Sequence, residues 1–165
     1  MKARMVIALL SLVGTFVALY LTLYKIGVIG QLSCSVGSCE AVNTSQWAVF
    51  LGLPVAAWGL GAYIVMLCLA LAGIQPALEE SRAVSWALVA VSSWSLLFSL
   101  WLTYLELFVI HAICMYCVIS AVIVALLFIA SVADLRTRAA GGGRREARNL
   151  EPGTRDQEVE TAGII

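Results

Sequence analysis

The chain has 165 residues, of which 62% are apolar and 12% are charged, whereas a soluble domain has about 45–50% apolar and about 25% charged residues. This composition excludes a soluble globular fold. Fourteen of the 20 charged residues lie outside residues 5–133, so this block is predicted to be embedded in a lipid bilayer. The net charge is zero and no basic patch interleaved with aromatic residues is present, which excludes nucleic-acid binding.

Charge-free windows place the membrane spans. Three windows of 20, 23 and 27 uncharged residues are each long enough to cross about 30 Å of hydrocarbon. A fourth span is predicted to start near Pro54, because proline is favoured in the first turn of a helix, and to end near Gly73. The chain is therefore predicted to be an all-α membrane protein with a bundle of four transmembrane helices in residues 1–133. The predicted spans cover about residues 5–25, 54–73, 83–105 and 109–132.

The Lys and Arg residues predict the orientation of these spans. Nine of the ten face one side of the membrane if the four helices alternate in direction, and only Lys25 faces the other. The positive-inside rule then places both termini and the loop at 74–82 in the cytoplasm, and residues 25–53 outside. Residues 134–165 are polar and contain three successive glycines, so they are predicted to form a flexible cytoplasmic tail.

Four of the five cysteines fall on the predicted outer side. Cys34 and Cys39 lie in the first outer loop as C-S-V-G-S-C, and Cys114 and Cys117 form C-M-Y-C near the start of the fourth span. The outer side opens to an oxidising compartment, where disulfides form. The unpaired N–H groups of a first helical turn favour a thiolate, so this C-x-x-C suits dithiol–disulfide chemistry. Cys68 lies in the middle of the second span and is predicted to be a small buried apolar residue.

The residues alone leave three interpretations of the two cysteine pairs open. Ser35, Gly37 and Ser38 form a flexible link that could carry one sulfur between the C-x-x-C and the solvent, as a relay by thiol–disulfide exchange requires. The pairs could instead be two inert disulfides, although a disulfide across C-x-x-C closes almost no loop. Four thiolates at these spacings could also hold structural zinc. We predict the relay, and therefore no metal site.

The segment between Cys39 and the second span is predicted to act as a lid. The run Asn43-Thr44-Ser45-Gln46 fits the start of a helix with a Gln three residues after its N-cap. This helix could lie across the mouth of the bundle and exclude water from the sulfurs, or it could lie on the membrane surface without contact to them. Its apolar set comprises Trp47, Val49, Phe50, Leu51 and Leu53.

Two ionisable residues, Glu106 and His111, lie at the predicted outer turn between the third and fourth spans. Either could deliver protons to a redox reaction near Cys114. However, the chain turns into water at this point, so both are predicted to be solvated loop residues.

Several motifs around the cysteines are similar to those of a known protein family. They are Cys34, the run CEAVNTS at 39–45, the junction LGLPVA at 51–56 with Gly59, Glu106-Leu107, and AICMYCVISA at 112–121. With these residues the sequence resembles the bacterial vitamin K epoxide reductase homologues, which are four-helix membrane thiol oxidoreductases. The resemblance covers about residues 5–133.

The resemblance implies a helix bundle around a quinone, either ubiquinone or menaquinone, capped by a short half-helix in the first outer loop. It also implies that electrons pass from a thioredoxin-fold protein to the loop pair, then to the C-x-x-C, and then to the quinone. By the family pattern, Cys34 faces the partner protein and Cys39 exchanges with Cys114. Besides the four cysteines, the pattern makes Ser45 part of the catalytic site. The residues expected next to the quinone are Cys117, Ser45 and Tyr116.

The resemblance thus predicts a quinone-dependent thiol oxidoreductase of the bacterial inner membrane, with its active site facing the periplasm. Many members carry a fused thioredoxin-like domain after the fourth helix, whereas this chain has a polar tail of 32 residues, so the thioredoxin-fold partner is expected to be a separate periplasmic protein. The alternative is a noncatalytic membrane scaffold with structural disulfides. A second quinone-linked family with four helices is disfavoured, because it needs a cysteine pair in the second outer loop, which is too short in this chain.

Overall fold

Long apolar helices make up most of the structure, a computed structural model that describes residues 2–30, 37, 39–76, 78 and 81–149. Among these residues, four helices are long and apolar enough to cross a membrane. The predicted all-α bundle of four membrane-spanning helices, with a short helix in the first loop, is confirmed. In chain order, the elements are α1 (Lys2–Lys25), α2 (Cys39–Thr44), a 3-10 turn (Gln46–Ala48), β1 (Val49–Phe50), β2 (Leu53–Pro54), α3 (Val55–Ala72), α4 (Arg82–Leu105), a π-helical turn (Glu106–Ile110) and α5 (Met115–Asn149).

The connection between the third and fourth spans lies later in the chain than predicted. The π-helical turn continues α4 to Ile110, and α5 begins at Met115 rather than near residue 109. The turn ends at His111, whose φ of 54° is left-handed, and the Glu106 carbonyl accepts the N–H groups of His111 and Ala112. A π turn adds one residue to a helix but does not interrupt an apolar run of sequence. The charge-free windows that predict the spans therefore do not show where such a turn lies.

Helix α5 is also longer than the predicted fourth span. It runs to Asn149, whereas the composition predicts a flexible tail from residue 134. No proline interrupts this stretch, and Arg138 Nε donates to the Asp134 carboxylate one turn earlier at 3.1 Å, a spacing that stabilises helices. Residues 150–165 of the predicted tail lie outside the described residues.

The predicted lid has a different internal structure. Helix α2 begins at Cys39, before the predicted start near Asn43, and Ser45 precedes a single 3-10 turn without a side-chain capping bond. The apolar set that follows is a 3-10 turn and a two-stranded hairpin instead of a helix. Leu51 and Gly52, at the tip of the hairpin, have φ of 52° and 80°, as tight hairpin turns require.

The core of the bundle contains side chains from all four long helices. Ile7 of α1, Met66 of α3, Leu88 of α4 and Leu127 of α5 are each no more than 1% exposed. Helices in a bilayer associate through close packing and interhelical hydrogen bonds, because lipid is as apolar as their side chains. Close packing and polar contacts between the helices therefore both stabilise the bundle.

A buried ion pair supplies such contacts at one end of the bundle. Arg4, which is fully buried, has its Nε 3.3 Å from Asp134 Oδ2 and donates to Ser85 Oγ at 3.1 Å. Ser85 Oγ in turn donates to Asp134 at 2.7 Å, and Arg4 also donates to the Gly73 carbonyl. These bonds connect α1, the end of α3, α4 and α5. Arg4 therefore holds the helices together in addition to carrying a topogenic charge.

We expect Arg4→Met to lower the free energy of unfolding by about 3–5 kcal/mol, because it leaves the buried Asp134 carboxylate without this cation. Arg136, which is exposed on α5, provides the matched control, and Arg136→Met should change stability by no more than about 0.5 kcal/mol. Loss of helical circular dichroism in a denaturing detergent measures both values. Equal stability of the two variants would contradict the assigned role of Arg4.

Candidate active site

The C-x-x-C motif lies at the start of α5, as predicted. Cys114 immediately precedes the helix and is fully buried, and Cys117 is half-buried in its first turn. Both carry free thiols. A hydrogen bond from the Cys117 thiol lowers the pKa of Cys114 below its ordinary value. Since the thiolate is the nucleophile in disulfide chemistry, Cys114 is the more reactive of the two.

The first outer loop touches the C-x-x-C through its backbone. Gly37, which lies between the two loop cysteines, forms an antiparallel bridge with Cys114. The φ of Gly37 is 86°, and a Cβ at this position would lie 2.2 Å from the carbonyl oxygen of Ile113. Only glycine therefore permits this approach. The sequence predicts Gly37 as part of a flexible link, but its actual position is a close contact with the second cysteine pair.

Cys39 is buried at the start of α2 and is disulfide-bonded. The side chain of Asn43 donates to the Cys39 carbonyl at 2.9 Å, and Lys25 Nζ, at the end of α1, donates to the Asn43 carbonyl. These bonds hold α2 against α1 beside the C-x-x-C. Cys34, Ser35 and Ser38 lie outside the described residues.

An apolar cavity of about 910 Å³ lies between the helices beside Cys117. Asn43 and Ser45 line it from the first outer loop, and Tyr63 and Ser120 line it from α3 and α5. The hydroxyl groups of Tyr63 and Ser120 are 2.8 Å apart and hydrogen-bonded. The volume is within the range of about 300–1,000 Å³ that is typical of small-molecule sites. Cys117 and Ser45 thus meet at one cavity.

The hairpin of the first outer loop forms part of the same cavity wall. Four residues of the predicted apolar set line the cavity, and three of them are in or next to the hairpin strands. This position agrees with a lid over the bundle and not with a helix that lies away from the sulfurs. The four lining residues are Trp47, Phe50, Leu51 and Leu53.

Tyr116 does not join Cys117 and Ser45 at the cavity. Its ring packs on Tyr20 of α1, with ring centroids 5.3 Å apart, and it is not among the described residues that line the cavity. Successive residues of a helix point about 100° apart, so Tyr116 and its neighbour Cys117 face different directions. The contact of Tyr116 with a cofactor stays a prediction.

Glu106 belongs to the site, although the sequence predicts it to be solvated. It is 4% exposed, it lines the cavity, and its Oε2 accepts the N–H of Cys114 at 3.4 Å. Cys117 lines the same cavity as this carboxylate. Since Glu106 is the first residue of the π-helical turn, it lies within a helix and not in a loop. His111, in contrast, is exposed as predicted.

One feature of the sequence could have revealed the role of Glu106. It is the single charged residue between positions 83 and 133, and an ionisable residue within an apolar stretch is a functional candidate. No comparable signal marks Asn43, since short polar runs are common in outer loops.

Cys68 is exposed on α3, whereas the sequence predicts a buried residue. The reason is that the outer surface of a membrane helix faces lipid, where an apolar thiol has no need of protein neighbours. Cys68 is remote in sequence from both cysteine pairs, and its thiol is free.

The chain matches one known protein family. The model of the Vitamin K epoxide reductase family matches residues 5–132. This range contains the four helices up to the end of the predicted fourth span, the first outer loop and all five cysteines.

We expect Gly37→Ala to slow disulfide formation between Cys39 and Cys114 by at least about tenfold, which corresponds to about 1.4 kcal/mol. A methyl group would clash with the Ile113 carbonyl, and a left-handed backbone costs an alanine about 1–2 kcal/mol. The measurement is made in a background without the other three cysteines, by mass spectrometry of the joined peptides after mild oxidation.

The control for this experiment is Gly27→Ala. Gly27 also has a φ of 80°, but a Cβ there would meet nothing within 4 Å. Its alanine variant should therefore form the Cys39–Cys114 disulfide at the parental rate. Equal rates in the two alanine variants would show that the contact of Gly37 with Cys114 does not bring the pairs together.

Proposed function

The chain belongs to the vitamin K epoxide reductase family and is a multi-pass membrane thiol–disulfide oxidoreductase, and we propose that it passes electrons from a periplasmic thioredoxin-fold protein to a membrane quinone. One observation carries this proposal, which is the position of the C-x-x-C. Cys114 contacts the outer loop at Gly37, and Cys117 lines an apolar cavity. The dithiol therefore lies between a loop that can meet a protein and a cavity that can hold a quinone.

The first internal step is an exchange between the two cysteine pairs. The Cys39 thiolate attacks the Cys114 sulfur of a Cys114–Cys117 disulfide, and Cys117 leaves as a thiolate. Cys34 then attacks Cys39, which releases Cys114 and forms the loop disulfide, so two electrons have moved to the C-x-x-C. The contact of the first outer loop with Cys114 at Gly37 supports this step, because exchange needs the two pairs close together.

The cavity beside Cys117 fits a quinone. Its apolar walls suit the ring and isoprenoid chain of ubiquinone or menaquinone, and the amide of Asn43 and the hydroxyl of Ser45 are polar groups in the same wall. A bound quinone would accept two electrons and two protons. The residues of the chain hold the dithiol at the cavity, and the burial of Cys114 excludes water from its sulfur.

The proposal includes an orientation in the bacterial inner membrane. Both termini face the cytoplasm and the cysteine pairs face the periplasm, as the nine-to-one distribution of Lys and Arg favours. The loop disulfide is then accessible to the thioredoxin-fold protein, and Cys34 is the sulfur that exchanges with this partner. We propose that the partner is a separate protein.

Separate electron donors can distinguish the two pairs. We expect replacement of both Cys34 and Cys39 by Ala to reduce oxidation of a thioredoxin-fold protein to the uncatalysed rate, since a folded protein must exchange through the loop. The same variant should retain quinone reduction by dithiothreitol, which is small enough to reach the C-x-x-C. Cys117→Ala should abolish both reactions, and Cys68→Ala is the matched control that should affect neither. Quinol absorbance and thiol titration provide the two rates.

Two outcomes would contradict the relay. If the double loop variant loses dithiothreitol-driven quinone reduction as completely as Cys117→Ala, the loop cysteines belong to the quinone-reducing centre and the order of transfer is wrong. If the parent protein shows no quinone-linked change in its thiols, the chain is a noncatalytic scaffold with structural disulfides.

A further inference from the structure

We infer that Glu106 is a catalytic residue whose carboxylate takes the proton of the Cys117 thiol as the Cys114–Cys117 disulfide forms. The inference rests on the proposed redox role of the C-x-x-C. It does not depend on the identity of the electron acceptor. The order of sulfur exchange gives Glu106 no role, and the inference assigns it the transfer of a proton.

The contacts of Glu106 support this role. The carboxylate lies beside the dithiol, with Oε2 3.4 Å from the backbone nitrogen of Cys114, and it lines the same cavity as Cys117. It is 4% exposed, so bulk water has little access to it. A base must reach the proton that it removes, and Glu106 is placed for this by its bond to the Cys114 N–H and by the cavity that it shares with Cys117.

The π-helical turn holds Glu106 in this position. Its carbonyl accepts the N–H groups of His111 and Ala112, so the backbone of Glu106 is fixed by two hydrogen bonds at the point where the chain turns towards Cys114. Glu106 thereby lines the cavity.

No cation neutralises this carboxylate within the described part of the chain. The ion pairs found there, Arg4–Asp134 and Arg138–Asp134, involve a different carboxylate. The neighbouring titratable groups are the thiols of the C-x-x-C, of which Cys117 lines the same cavity as Glu106, while Cys39, on the neighbouring α2, is in a disulfide and does not titrate. Lys25 lines the same cavity without forming an ion pair with Glu106. A buried carboxylate without a cation favours the uptake of a proton.

The proposed step balances in protons and electrons. The Cys114 thiolate and the Cys117 thiol become a disulfide, two electrons leave to the oxidant, and one proton passes to Glu106. When the loop pair later reduces this disulfide, Cys117 leaves as a thiolate and recovers the same proton from Glu106. The carboxyl group is therefore charged beside the dithiol and neutral beside the disulfide.

The test follows disulfide formation in the C-x-x-C with diamide, a small oxidant that replaces the quinone. The protein carries Ala at Cys34, Cys39 and Cys68, so the remaining two thiols belong to the motif. Glu106→Gln keeps the length of the side chain and an oxygen for the Cys114 N–H but cannot accept a proton. We expect it to slow disulfide formation by about a hundredfold at neutral pH, which is the lower end of the contribution of a general base.

The pH dependence separates proton transfer from a structural role. We expect the rate of the parent protein to change little between about pH 6 and 8, whereas the Glu106→Gln rate should rise by about tenfold per pH unit, because hydroxide must then remove the proton. Glu106→Asp keeps a carboxylate with a shorter reach, so it should be slower than the parent and retain the flat profile. This variant remains informative if Glu106→Gln does not fold.

Glu40→Gln is the matched control, because it removes one exposed carboxylate from α2 at the same end of the bundle, and it should match the parent. A Glu106→Gln protein that forms the disulfide at the parental rate with a flat pH profile would overturn the inference. So would a Glu106→Asp protein with the steep profile. Since diamide is the oxidant, failure of quinone reduction would leave this result unchanged and would count against the proposed function alone.

Discussion

The antiparallel bridge between Gly37 and Cys114 determines where the two cysteine pairs meet. It requires a residue without a Cβ, because the Ile113 carbonyl occupies the space that a side chain would need. Helix α2 is held nearby by the bonds from Lys25 to Asn43 and from Asn43 to the Cys39 carbonyl. Sulfur exchange between buried thiols needs this proximity, since the thiols cannot diffuse to one another through solvent.

The buried charged residues that the structure describes, Arg4, Asp134 and Glu106, lie at the two ends of the bundle, with different consequences. At one end, Arg4 and Asp134 join four segments of the chain through buried hydrogen bonds, and these groups have fixed partners. At the other end, Glu106 accepts the N–H of Cys114 and lines the same cavity as Cys117, whose thiol changes its protonation when it reacts. A buried polar group in a membrane protein is costly unless it is paired. The paired groups at the first end therefore stabilise the bundle. At the second end, the buried Glu106 carboxylate lies beside the dithiol and has the proposed role in proton transfer.

Features that depend on the local pattern could be predicted from the sequence, and those that depend on side-chain direction could not. Four apolar stretches and the C-x-x-C at a helix start follow from composition and spacing. The burial of Arg4 depends on Asp134, 130 positions away, and no local pattern reports such a contact. Glu106 differs from prediction for a related reason, because the chain continues into a π turn at the end of α4 instead of a loop, and no local pattern shows this.

The most direct test of the relay is a count of thiols in the purified protein, reduced with dithiothreitol and then mixed with quinone. With Cys68 replaced by Ala, the four remaining thiols all belong to the two pairs. The relay predicts that both pairs close, with one disulfide formed for each quinone reduced, and that mass spectrometry finds the Cys34–Cys39 and Cys114–Cys117 peptides joined. An unchanged thiol count after the addition of quinone would contradict it.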